Sequence, residues 1–344
     1  MSVIPIRGEN PETGAADPET QVATGPPQRP EPRRRAPARR RGAHVVPWRT
    51  ALRRDWPLYA MAVLPVVFLL IFRYGPMIGN VIAFRRFRPG GSIFGDEWVG
   101  LRYIELFAYD PTFWKVFWNT AILGGLTLVI VFPLPIVLAL MLNEVRKKAF
   151  KRTVQSISYL PHFLSIVIVA GMVMQLLSLE GTVNQVVSAF GGEPIPFLQR
   201  AEWFRAIYVT SEIWQTVGWG TILYLAALTT IDQQLYEAAV IDGANRWRQT
   251  WHVTLPGIRP MMVTLLILNV GTFLNVGFEK VLLLYNPLTY ATADVISTYL
   301  YRVGLVANNF SYAAAIGLFQ AIIGLVMVLG ANLIARRMVG TSLW

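Results

Sequence analysis

No cysteine occurs among the 344 residues, which excludes disulfides and thiolate-bound metal sites. Histidine is nearly as scarce: His44, His162 and His252 lie far apart, form no metal-ligand cluster, and are assigned to loops or interfaces. Charge is thin. Charged residues make up 15% of the chain, against about 25% in a soluble domain. No Gly-Lys pair occurs, so the phosphate-cradling loop G-x-x-x-x-G-K-[ST] is excluded. HExxH and GxSxG are missing too, as is any carboxylate pair with an obvious substrate pocket. An enzyme is therefore not expected, no metal or cofactor is expected on this chain, and no residue is assigned a catalytic role.

Hydrophobic residues reach 54%, the mean hydropathy is +0.43, and the apolar residues are gathered into long runs. That is the composition of a membrane protein. The net charge of +11 is concentrated at one end. Residues 1–56 hold eleven arginines and nine prolines, including Arg33-Arg34-Arg35 and Arg39-Arg40-Arg41. Such a stretch cannot bury a core and is expected to be a disordered cytoplasmic tail, attracted to anionic lipid rather than to nucleic acid.

Six apolar spans are expected, at about 57–73, 118–142, 154–177, 206–230, 261–285 and 312–335, each near the length of about twenty residues a bilayer requires. The second carries Pro133 and Pro135, tolerable where neighbouring groups satisfy the freed backbone. Six spans put both termini on one side. With that side inside, internal segments carry 21 Lys and Arg against 9 in external ones, which satisfies the positive-inside rule. The expectation is an all-α integral membrane domain over 57–344, with N- and C-termini cytoplasmic.

Residues 232–260, DQQLYEAAVIDGANRWRQTWHVTLPGIRP, lie between the fourth and fifth spans and are too polar to cross a bilayer. Asp232 is a helix-capping residue, and Leu235, Ala238, Ala239 and Ile241 follow at helical spacing. Asp242-Gly243 should break that helix, since Gly accepts the left-handed exit conformation. Ala244, Trp247, Trp251 and Leu255 mark one stripe of a second helix, which Pro256 is expected to end. Two short helices at a fixed bend would make a cytoplasmic knob.

Polar residues inside apolar spans are costly, so each marks a candidate site. Glu212, Gln215, Thr216 and Trp219 share a face of the fourth span. Asn269, Phe273, Val276 and Lys280 would share a stripe of the fifth, with Thr272, Asn275 and Glu279 beside it. Aromatic rings next to amides and carboxylates suit a sugar, which has an apolar C–H face and a hydroxyl edge. Equally, Glu212, Glu279 and Lys280 could only pair and hold helices together.

Glu237-Ala238-Ala239, three residues, Gly243, nine residues, then Val253-Thr254-Leu255-Pro256 resembles the EAA loop, EAA-x3-G-x9-I-x-LP, of ABC-importer permeases. Val253 is the one departure. From about Trp56 onward the chain resembles the MalF-like carbohydrate permeases, within them the polysaccharide, LplB-type branch. Gly218-Trp219, Gly277-Phe278-Glu279-Lys280-Val281 and Tyr312-Ala313-Ala314-Ala315-Ile316-Gly317 add to the likeness. The resemblance implies a type I ABC-importer permease fold with a cytoplasmic coupling helix. In it Leu235, Glu237, Ala238, Ala239, Asp242, Gly243, Trp247, Leu255 and Pro256 would meet an ATPase. It also implies a second homologous permease, a cytoplasmic ATPase dimer using ATP and Mg, and an external solute-binding protein that delivers oligosaccharide. The competing reading is a stand-alone secondary transporter of a small polar solute, which should show internal repeats and a buried ion relay.

Overall fold

The computed structural model describes Thr50 and residues 54–339. The Arg- and Pro-rich tail expected over 1–56 lies almost wholly outside them. The described chain is helical apart from one short antiparallel ribbon, β1 Arg85–Arg86 with β2 Glu97–Trp98, paired Arg85 to Trp98. The helices are α1 Trp56–Leu69, α2 Arg102–Ala108, α3 Pro111–Leu126, α4 Pro133–Glu144, α5 Lys148–Tyr159, α6 Ile166–Leu176, α7 Thr182–Ala189 and α8 Ala201–Leu228. They continue with α9 Gln233–Ile241, α10 Arg246–Gln249, α11 Leu255–Gly271, α12 Phe278–Leu284, α13 Tyr290–Ala293, α14 Ile296–Leu300 and α15 Phe310–Val339.

Four helical runs among the described residues are long and apolar enough to cross a membrane: Trp56–Phe84, Pro111–Glu144, Arg246–Gly271 and Phe310–Arg337. A bent pair, Lys148–Phe163 with Ile166–Leu176, makes up to five. The expected fourth span is present as α8, 28 residues long, but its middle carries Glu212, Gln215 and Thr216 and is less apolar than the others.

Proline explains the continuity of the long runs. Wide, π-type turns occupy Leu70–Tyr74, Thr127–Val131 and Thr250–Thr254, each ending two residues before a proline: Pro76, Pro133 and Pro256. A proline ring collides with the carbonyl four residues back and offers no N–H. Widening the preceding turn moves that carbonyl aside while keeping the backbone bonded, as Phe132 N–H does by donating to Thr127 O at 2.9 Å. The helix therefore runs through the proline. The expectation that Pro256 ends the second knob helix is corrected: α10, the wide turn and α11 form one run from Arg246 to Gly271.

Two expected spans are broken. In place of one helix over 154–177, α5 and a tight turn Leu160–Phe163 meet α6 at 101°. Pro161 removes a donor there, and Ser165 starts a new helix by accepting the Ile168 N–H at 3.3 Å. The fifth span, expected over 261–285, stops at Gly271 and resumes as α12 at Phe278. Asn269, Phe273, Val276 and Lys280 therefore do not share one helical stripe.

Three buried clusters hold the helices around this break. Leu123, Phe204, Tyr208, Val276 and Val281 join α3, α8 and α12. Phe107, Phe113, Ile296, Tyr299, Tyr312 and Ile316 join α2, α3, α14 and α15. Ile136, Ala139, Tyr224, Leu228 and Ile258 join α4, α8 and α11. Polar clamps tie one end together. Asp110 caps α3 by accepting the Thr112 N–H and also accepts the hydroxyls of Tyr299 at 2.7 Å and Tyr312 at 3.1 Å. Asp294 accepts from Thr298 and from Arg302, and Asn119 donates to the carbonyls of Ala291 and Asp294.

Among the described glycines Gly218 is the most tightly approached: an added Cβ would lie 2.1 Å from the Ser158 carbonyl oxygen. Gly125, in α3, faces open space within 4 Å. Gly218→Ala should therefore destabilise the fold by about 1–3 kcal/mol, the usual cost of overpacking, whereas Gly125→Ala should be neutral or slightly stabilising. Denaturant unfolding of the two variants in detergent checks this, and equal midpoints would contradict it.

Candidate functional site: the coupling segment and a polar cavity

Asp232 accepts the Gln234 N–H at 3.0 Å and so caps α9, which carries Glu237-Ala238-Ala239. The helix leaves through a left-handed Gly243 at φ +75°, with Ala244 N–H donating to Ala239 O at 2.8 Å. An added Cβ at Gly243 meets nothing within 4 Å, so backbone conformation alone favours glycine there. Asn245 starts α10 by accepting the Arg248 N–H at 2.9 Å. Tyr236 and Thr254, bonded through their hydroxyls at 3.0 Å, pin α9 to the wide turn, and Arg246 pairs with Glu144 at 3.1 Å.

The outer surface of this segment sets large apolar side chains among charged ones. Leu235, Val240, Ile241, Trp247 and Trp251 are all exposed, Ile241 by 85%. Trp247 and Trp251 border a groove against α4, and Tyr236, Thr254 and Ile258 carry the packing of the segment onto the rest of the chain. Glu237, Ala238 and Asp242 are exposed, Ala239 and Leu255 are half-buried, and Pro256 is exposed. Large apolar side chains exposed on a polar segment between spans mark a candidate surface for another molecule to cover.

The second feature is a cavity of about 210 Å³ between α3, α8 and the break after α11. Its walls are Gly124, Thr127 and Leu128, then Tyr208 and Glu212, then Asn269, Thr272, Phe273, Asn275, Val276 and Gly277. The break supplies the polar lining, and several of its backbone groups are paired. Thr272 and Phe273 N–H donate to Asn269 and Val270 carbonyls, Asn275 N–H donates to Thr272 O at 2.8 Å, and Gly277 N–H donates to the Tyr208 hydroxyl at 3.2 Å. Gln320 of α15 donates to both Leu274 O, 2.9 Å, and Asn275 Oδ1, 2.8 Å. Non-helical backbone amid apolar spans is tolerable only with such pairing.

Of the residues singled out by sequence, Glu212, Asn269, Thr272, Phe273, Asn275 and Val276 meet at this cavity. Lys280 does not line it but stands behind it. It is buried to 3% exposure, forms an ion pair with Glu212, and lies 5.7 Å from the Tyr208 ring centroid. The other four fall elsewhere. Gln215 is buried off the cavity, Thr216 is half-buried and donates back to the Glu212 carbonyl, Glu279 is exposed, and Trp219 stacks on His162 at 4.4 Å. Tyr208, Thr127, Gly124 and Gln320 were not anticipated. Tyr208 sits one helical turn before Glu212, a spacing that could have paired them. Gly124 is required by contact, since a Cβ there would lie 2.4 Å from the Phe273 carbonyl oxygen.

Residues 131–340 match the family described as binding-protein-dependent transport system inner membrane component. Protein LplB of Bacillus subtilis is 44% identical over 293 residues, covering 85% of this chain and 92% of the relative. The polygalacturonan/rhamnogalacturonan transport system permease protein YteP of the same organism is 48% identical over 282 residues, covering 81% and 88%. Among solved structures, a bacterial ABC transporter involved in import of the acidic polysaccharide alginate has a chain 45% identical to this one. It superposes with a TM-score of 0.79 over 85% of this chain and 99% of that one. With its helical fold, its exposed EAA segment and this similarity along most of its length, the chain belongs to the inner-membrane permease family of binding-protein-dependent ABC importers.

Proposed function

We propose that this chain is one permease half of an importer that moves an oligosaccharide, handed over by an external binding protein and driven by a cytoplasmic ATPase dimer. A second, homologous permease would complete the path. The observation that carries the reading is the capped, outward-facing helix Gln233–Ile241 with its EAA-x3-G spacing and exposed Leu235 and Ile241. The names of the relatives support the substrate class: polygalacturonan and rhamnogalacturonan for one, arabinooligosaccharides for another that is 31% identical, and alginate for the solved transporter. That transporter is also known in complex with a periplasmic protein carrying an alginate pentasaccharide. The charge bias toward the loop side supports placing both termini and the coupling segment in the cytoplasm.

The mechanism follows from the continuity of one helix. Residues Arg246 to Gly271 run unbroken for 26 residues, roughly 40 Å at the usual helical rise. One end is the knob; the other carries Asn269 and adjoins Thr272 at the cavity. Closure of the ATPase dimer on ATP would push the knob, and this lever would shift the cavity wall directly. Glu237 would meet a basic group of the ATPase. In the cavity, the Phe273 ring offers a face for sugar C–H groups, while Asn269, Asn275, Thr127 and the Tyr208 hydroxyl offer hydrogen bonds. The chain itself hydrolyses nothing. The secondary-transporter reading has no support once the chain is placed in a family that works with binding proteins.

In reconstituted complexes, ATP hydrolysis stimulated by loaded binding protein should fall tenfold or more in Glu237→Lys, because a lost interfacial charge contact is worth about 2 kcal/mol or more. Gly243→Val should weaken it further than Gly243→Asn, which tolerates the left-handed region better. Full stimulation in Glu237→Lys at normal assembly would sink the coupling assignment.

The Glu212–Lys280 pair separates a role in the pathway from a role in packing. Lys280→Met alone should impair folding, since stranding a buried charge costs about 3–5 kcal/mol. The double variant Glu212→Gln/Lys280→Met should regain stability but transport slowly. Wild-type transport by the double variant would make the pair purely structural.

A further inference from the structure

α5 is not used by the transport mechanism above, yet it is the most strongly two-faced helix in the chain. Lys148, Lys151 and Arg152 lie on one side with Gln155 and Tyr159, following i, i+3, i+4, i+7 and i+11 spacing. Phe150, Val154 and Ile157 lie on the other at i, i+4 and i+7. No residue of the helix is fully buried, and Phe150 and Ile157 are 58% and 68% exposed. Arg146 and Lys147 precede it, and no Asp or Glu occurs between Val145 and Ser165. None of these five cations forms an ion pair among the described residues, and the nearest carboxylate in sequence, Glu144, is paired with Arg246.

The orientation of this helix is fixed. Its Ser158 backbone presses against Gly218 of α8, leaving no room for a Cβ there, and the ring of His162, just beyond it, stacks on Trp219. With the turn that follows, it stands at 101° to the apolar helix α6. If α6 enters the bilayer, α5 lies along the surface, with its apolar side toward the acyl chains and its cations at headgroup level. A basic helix with one apolar side is the form that binds an interface, and uncompensated cations select phosphate groups lacking a balancing ammonium.

We propose that α5 is an interfacial helix that binds anionic phospholipid through Lys148, Lys151 and Arg152, tying the loop between the second and third spans to the membrane surface. The site is distinct from the sugar pathway and from the coupling segment. Its occupant is the lipid surface, chosen by the charge of one face and the exposed apolar character of the other.

Because the chain has no cysteine, a single introduced thiol reports position. Ile157→Cys and Ser156→Cys would each carry a fluorophore in the full complex in phosphatidylcholine nanodiscs. A nitroxide would be placed on the acyl chain of added phosphatidylglycerol or added phosphatidylcholine. The probe at Ile157 should be quenched and the probe at Ser156 much less. Nitroxide on phosphatidylglycerol should quench the Ile157 probe more strongly than the same label on phosphatidylcholine, with roughly fivefold local enrichment for each cation in contact. High salt should reduce that preference. Lys148→Gln/Lys151→Gln/Arg152→Gln should abolish it while leaving acyl-chain quenching intact, which also shows that the helix still folds in place. Equal quenching by the two lipids in the unmodified cation set would overturn the proposal. So would an Ile157 probe shielded from lipid and aqueous quenchers alike, because a partner subunit would then cover the helix.

Discussion

Between Gly271 and Phe278 the backbone leaves its helix in a region surrounded by apolar spans, and six residues give up the regular helical ladder. Their bonded groups find partners in four ways: tight turns among themselves, the Tyr208 hydroxyl, the Gln320 amide and the Ser297 hydroxyl, which reaches Val276 O at 3.5 Å. Each partner comes from a different part of the chain, so the break exists only because α8, α14 and α15 are already packed around it. An unpaired backbone group in such a place costs as much as several ordinary contacts supply. The pairing gives the break a polar wall facing the cavity, where Asn269, Thr272 and Asn275 are gathered; on a continuous apolar span the same residues would be a liability.

The same constraint acts on the prolines with the opposite result. At Pro133 and Pro256 a widened turn absorbs the missing donor locally, so the helix continues and remains stiff. At Pro161 the tight turn and the Ser165 cap resolve it by a sharp bend. The chain thus has one long lever joining the exposed coupling segment to the cavity wall and one rigid corner lying across α8. A stiff lever and a discrete break together form a device that can hold two arrangements, because packed helices shift as bodies rather than deform gradually.

The electrostatics of the site are local. Glu212, in the cavity wall, and Lys280, behind it, neutralise each other, and the low exposure of Lys280 makes that pairing obligatory rather than optional. The cavity wall that the remaining residues present is therefore neutral and hydrogen-bonding, with one aromatic face. At the far end, Asp110 and Asp294 collect hydroxyls and a guanidinium from three segments, holding the ends of the helices in register.

Much of the coupling segment was legible from residues 232–260 alone. Capping by Asp232, the helix to Ile241 and the left-handed exit at Gly243 are interactions between neighbours along the chain, and short-range geometry decides them. The apolar runs likewise announced a helical membrane protein, because hydropathy is a property of composition. What the sequence could not decide was which prolines would stop a helix and which polar residues would meet. Pro256 and Pro161 look alike in a one-dimensional pattern, and their different outcomes depend on whether the turn before them can widen or must bend against α8. Glu279 and Lys280 lost their register with Asn269 and Phe273 at the break over 272–277, whereas Gln215 and Trp219 keep theirs with Glu212 on the unbroken α8 but meet buried neighbours and His162 rather than the cavity. Tyr208 and Gln320 entered the site instead, because only there could they satisfy backbone groups that the break had released.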